Sequence, residues 1–167
     1  MATSERSNPV ERLALEILDI LLALHYLRSQ SYGDDPLANL RETKVMALLL
    51  NDVVLRLGKF RDDDNRTWSF REAAKYLGKR VQSAPRAVAA KPLIAKFIER
   101  TKRLDDWRNL AIAHLPKRGA SHLEPVTDLL IIVSLAVKIV DTLAGEENRY
   151  CVGTVDLRSG LPVIEDV

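Results

Sequence analysis

Three observations predict an all-α bundle of four to five helices for this chain. Apolar residues recur at helical spacing through most of its length. Prolines and glycines stand where helices should begin and end. No stretch before the C-terminal tail alternates at a period of two for long enough to build a sheet. With 167 residues, 47% of them apolar and 29% charged, the chain suits one domain with a filled core.

Five helices are expected, at about 9–29, 36–57, 69–80, 92–115 and 123–145. Asn8 before Pro9 reads as an N-cap with proline at the first helical position. The first helix carries Val10, Leu13, Ile17, Ile20, Leu24 and Leu27 on one stripe. Leu15, Leu18, Leu21 and Leu22 widen that stripe almost all the way round, which predicts a central position. Asp35–Pro36 opens the second helix in the same way, and Gly58 looks like its stop. Ser69 and Glu72 have capping-box spacing and open the third. Pro92 either opens the fourth or kinks a helix begun near Pro85. Ser121 and Glu124 suggest a cap for the last helix, with Pro125 directly behind. Its run LLIIVSLAVKIVDTL is apolar on most faces, so it too should be central, with the second and fourth helices packed around. The tail YCVGTVDLRSGLPVIEDV is β-branched and broken by glycines, so a short strand, a hairpin or an irregular segment is expected. The expected division is a bundle over 1–148 and a tail over 149–167.

Composition excludes several classes of function. The net charge of +2 gives no global polybasic character. A single cysteine, Cys151, rules out an intramolecular disulfide and a multi-cysteine zinc site, and it has no activating neighbour. The histidines His25, His114 and His122 lack H-x-x-x-H spacing, and Asp62-Asp63-Asp64 lacks the pattern of a calcium loop, so no metal is expected. Neither a glycine-rich dinucleotide fingerprint nor a Walker motif occurs, and no cofactor is expected. His25 next to Tyr26 reads as core or dimer packing, and His122 as structural or exposed. The longest charge-free apolar runs, Ile20–Leu27 and Leu129–Val137, fall far short of the ~20 residues that cross a bilayer. The polar N-terminus does not read as a signal peptide, and a cytoplasmic location is expected.

Charge is nonetheless uneven. Residues 1–78 are net −1, residues 79–118 net +8, and residues 119–167 net −5. The basic stretch is either a solvated face or a surface that attracts phosphate. Within it, Ile94, Phe97, Thr101, Leu104, Arg108, Ala111 and Leu115 form one seam of the expected fourth helix. An arginine on that seam needs a carboxylate, a phosphate, a partner chain or a route to the bundle edge. His114 lies six residues beyond it, roughly 9 Å along the axis and 120° around. The two side chains therefore do not share a narrow face of one helix, whereas two copies meeting in a dimer could bring them together.

The string Asp106-Trp107-Arg108-Asn109-Leu110-Ala111-Ile112-Ala113-His114-Leu115 resembles the signature of HEPN domains, the small helical domains named for higher eukaryotes and prokaryotes nucleotide-binding. That signature is an arginine, a polar residue and then a histidine, late in a bundle. The form here is similar to the abortive-infection U-type HEPN proteins. The specific match covers about ten residues. The resemblance implies a bundle that forms a homodimer with the two motifs meeting in a cleft. It also implies a metal-independent endoribonuclease of toxin–antitoxin or abortive-infection type. Arg108, Asn109 and His114 take the catalytic positions. The nearby Lys102, Arg103, Lys117 and Arg118 are candidates to hold the RNA backbone. Other members of that family bind a nucleotide or a partner such as a nucleotidyltransferase and cleave nothing. A plain helical interaction protein is the remaining alternative.

Overall fold

The computed structural model describes residues 8–30, 33–61, 68–102, 104 and 126–164. These form an α-helical bundle with a two-stranded C-terminal sheet: α1 (Pro9–Ser29), α2 (Pro36–Arg61), α3 (Phe70–Gly78), α4 (Ala84–Thr101), α5 (Val126–Ala144), β1 (Cys151–Val152) and β2 (Val155–Asp156).

The helix starts follow from local chemistry. Asn8 Oδ1 accepts from the Val10 N–H at 3.1 Å, and Asp35 Oδ1 from that of Leu37 at 2.9 Å. Ser69, itself buried, caps α3 through its Oγ, which accepts from the Glu72 N–H at 3.2 Å. Gly58 does not end α2, which runs one turn further to Arg61. The reason is Phe60, which is buried and stacks on Phe70 at 4.8 Å. Burying that ring outweighs the ~1 kcal/mol that a helical glycine costs.

α4 begins at Ala84 rather than near 92, and Pro92 lies inside it. The turn before Pro92 supplies Ala87 and Ala90 to the same buried face as Leu93, Ile94 and Phe97. Pro92 and Val88, whose carbonyl loses its helical donor, both lie on the solvent side, where water replaces that donor.

α5 is the central element, packed on α4 and on α1. Leu129, Ile132, Val133, Leu135, Ala136, Val137, Ile139, Val140 and Leu143 are all buried, so it is covered on nearly every face. α3 lies along α4, where the Phe70 ring meets Phe97 edge-on at 4.9 Å. The first helix departs from expectation. Its core stripe is buried from Val10 to Leu24 and half-buried at Leu27, but Leu15 and Leu22 are exposed, so α1 is not enclosed all the way round. Arg56 of α2 ties the two long helices together, pairing with Glu16 and Asp19 of α1 and with Asp52 of its own helix.

Only the C-terminal part of α2 joins the core, through Val53, Val54, Leu57 and Phe60. Its first half is held to α1 by the Tyr26 hydroxyl, which donates to Glu42 at 2.6 Å. Leu37 and Leu48, 68% and 69% exposed, lie with Leu55 on the face opposite the buried one.

The tail forms a hairpin, one of the three forms expected of it, with Cys151 opposite Asp156 and Val152 opposite Val155, and Gly153 at φ +59° makes the turn. Beyond it the chain lies back on the bundle. Leu157 is buried, and Leu161 and Ile164 pack against the core. Arg28 of α1 donates to the Ser159 and Gly160 carbonyls at 3.1 and 3.0 Å. From α5, Ser134 donates to the Pro162 carbonyl and Lys138 to that of Ile164.

Candidate nucleic-acid interface

The motif residues Arg108, Asn109 and His114, and the flanking Arg103, Lys117 and Arg118, lie outside the described residues. So do His122, Ser121, Glu124, Pro125 and Asp62–Asp64. Of the expected RNA contacts, Lys102 is described. It is the C-cap of α4 and exposed, and its N–H bonds back to the Glu99 carbonyl.

The structure does define how the chain enters the motif segment. Thr101, at the end of α4, is buried, and its hydroxyl donates to the Phe97 carbonyl at 2.8 Å. Arg61, at the end of α2, donates to the Thr101 carbonyl at 3.4 Å. Leu104 is half-buried against the core. The end of α4 is therefore held by packing from α2, and the exposed Lys102 stands four positions before Asp106 in the sequence.

The described part of the basic stretch, residues 79–102, does not make one face. Between 79 and 102 there are seven basic residues and one acid, Glu99. At about 100° per residue, Lys91 and Lys102 fall on one line of α4, while Arg86, Lys96 and Arg100 lie toward the other side. Arg86 is committed elsewhere. It donates to the Ala144 carbonyl at the end of α5 and closes over Gly145, which stands at φ +79°. Arg80 sits over the Tyr76 ring at 4.5 Å. Two cations of α3, Arg71 and Lys75, lie beside Lys91 instead. Segment charge counts hide them, because residues 1–78 are net acidic. Their spacing of four, next to the buried Phe70, Ala73, Ala74 and Leu77, was the available signal.

His25 is exposed, so it is not a core histidine. Cys151 is exposed and unbridged. Among the described residues no group of three or more His, Cys, Asp or Glu could hold a metal ion, and no helix is long and apolar enough to cross a membrane.

A second polar cluster joins α5 to the tail. Asp141 accepts from the Asn148 N–H and Nδ2 at 2.9 Å through one oxygen, and from Arg158 at 2.9 Å through the other. Tyr150, 2% exposed, has a buried hydroxyl with no hydrogen-bond partner among the described residues. Burial, followed by the negative charge of Asp141, pushes its ionisation well above the ordinary tyrosine range. This cluster is built for anchoring, since each charged group in it is spent on the tail.

Comparison of the chain with protein-family models, with curated proteins and with solved structures finds no match.

Proposed function

We propose that this chain is a HEPN-type, metal-independent endoribonuclease of the toxin or abortive-infection class, acting as a homodimer in the cytoplasm. The observation that carries the reading is the string from Asp106 to Leu115, with an arginine, an adjacent polar residue and a histidine after five intervening positions. The helical bundle supports it, as does the exposed Lys102 at the entrance to that string.

The chemistry follows from the residue types. The ribose 2′-oxygen attacks the neighbouring phosphorus, a 2′-O–P bond forms, and the P–5′-O bond breaks. The 2′-hydroxyl proton must leave and the 5′-oxygen must gain one. An imidazole is suited to either transfer near neutral pH, and His114 takes that role. Negative charge grows on the phosphoryl oxygens, and the forked guanidinium of Arg108 stabilises it. Asn109 orients the imidazole or binds the scissile phosphate. Lys102, Arg103, Lys117 and Arg118 hold the flanking backbone. The products are a 2′,3′-cyclic phosphate and a 5′-hydroxyl.

The test is cleavage of total RNA by the purified protein in EDTA. Arg108→Ala and His114→Ala are each expected to lower the rate about 10²–10⁴-fold while the thermal unfolding curve stays in place. Activity that survives both substitutions, or that needs a divalent ion, overturns the reading. A strictly monomeric species in light scattering overturns the composite cleft. The exposed apolar face of α2, with Leu37, Leu48 and Leu55, favours a second reading, a non-catalytic module that binds a partner protein such as an antitoxin or a nucleotidyltransferase.

A further inference from the structure

α3 and α4 leave between them an open cleft of about 520 Å³. Its floor is apolar. Ala74, Ala87 and Ile94 are buried within it, and Val88, 60% exposed, and Ile98 stand along one side. Gly78 keeps the trough deep, because a Cβ there would already touch Ala87 at 3.9 Å. On α4, the positions Ala84, Val88, Lys91, Ala95 and Ile98 repeat at helical spacing along one line about 21 Å long. On α3, Arg71, Lys75 and Gly78 repeat in the same way.

Among the described residues, every charged residue lining the cleft is a cation: Arg71 and Lys75 on one bank and Lys91 on the other. Glu72, 3.5 Å from Lys75, is not among the lining residues. The shape and charge together select an occupant. A trough between two helices with an apolar floor takes the apolar stripe of a third helix. Cations on both banks favour carboxylates on both flanks of that helix and disfavour a basic one. A nucleic-acid strand would find the cations, but among the described residues no aromatic ring lines the cleft to stack a base, and Val88, Ile94 and Ile98 would gain nothing from a sugar-phosphate chain.

We propose that the α3–α4 cleft is the docking site for an acidic amphipathic helix of a partner protein. Apolar side chains of that helix cover Val88, Ile94 and Ile98, and its carboxylates face Lys75, Lys91 and Arg71. Affinity comes from the floor, and the choice of partner from the banks, since exposed ion pairs contribute little to binding strength. The proposal does not depend on Arg108 or His114.

The experiment uses the full-length protein and two fluorescein-labelled amphipathic peptides of about sixteen residues with the same leucine face. One has glutamates on both flanks and the other lysines. Fluorescence anisotropy measures binding, and amide chemical shifts locate it. The glutamate peptide should bind at least about tenfold more tightly than the lysine peptide, with shifts confined to residues between Arg71 and Ile98. Val88→Asp should weaken it about tenfold or more, and Val88→Ala should do so in smaller measure with the fold intact. Lys75→Glu/Lys91→Glu changes two exposed side chains and should reverse the preference between the peptides. His114→Ala should bind the glutamate peptide unchanged. Equal binding of both peptides, no binding of the glutamate peptide, or a preference untouched by the double substitution would overturn the proposal. So would an oligouridylate that shifts the cleft amides when the glutamate peptide does not.

Discussion

Phe70→Ala tests the packing that holds α3 to the rest of the bundle. Phe70 is fully buried between two other rings, with Phe60 at 4.8 Å and Phe97 edge-on at 4.9 Å. Truncation removes a buried aromatic side chain and leaves a cavity, which costs about 3–5 kcal/mol. Two ring–ring contacts are lost with it, each worth about 0.5–1.5 kcal/mol, and part of that is already counted in the truncation figure. A total near 4 kcal/mol is expected, a large share of the ~5–15 kcal/mol that stabilises a domain. In urea unfolding followed by circular dichroism, with a slope of about 1–3 kcal/mol/M, the midpoint should fall by roughly 1.3–4 M. Phe70→Leu refills most of the space and should cost less than half as much. A loss below about 1 kcal/mol for Phe70→Ala, or equal losses for both variants, would refute the three-ring packing.

Gly145→Ala should destabilise by about 1–3 kcal/mol in the same assay, because the residue stands at φ +79° and its Cβ would run into the Arg86 guanidinium. Arg56→Ala should cost no more than about 1 kcal/mol despite its three carboxylate partners, since those side chains are 42–53% exposed, and the loss should shrink in high salt. Tyr150→Phe should be neutral or stabilising by about 1 kcal/mol, because it removes a buried hydroxyl that no group among the described residues satisfies. The same phenol sets a pH dependence. In the unfolded chain it loses its proton near 10.0, and in the folded one only well above that, so the native state holds the extra proton in between. Stability should therefore decline as pH rises above about 10, and Tyr150→Phe should flatten that decline. Tyr26, raised by its hydrogen bond to Glu42, contributes a remaining slope of the same sign.

Helix positions were legible in residues that act locally. Asn8, Asp35 and Ser69 cap the helices they were expected to cap, because an N-cap is decided within three residues. The apolar surround of α5 was equally readable. Gly58 misled as a stop, and of the two starts that Pro92 allowed the one near Pro85 holds and the one at 92 fails, for one shared reason. A long-range gain, Phe60 on Phe70 in one case and Ala87 and Ala90 against the core in the other, overrides a local breaker. Nor did periodicity separate a leucine that is covered from one that is not. Leu13 and Leu15 differ by two positions and have opposite exposures, and only the arrangement of neighbouring helices decides between them. The Arg108–His114 pair was legible as residue types at a spacing, whereas the cations of the α3–α4 cleft come from two separate segments and meet only in the folded chain.

The Arg28 clamp sets an order of events during synthesis. Its acceptors, Ser159 and Gly160, lie 131 and 132 residues further along the chain. Residues 159 and 160 must therefore have emerged from the ribosome before the first helix finds these partners. Until then the part of the core that Leu161 and Ile164 cover remains open to water, so closure of this bundle waits on contacts distant in sequence.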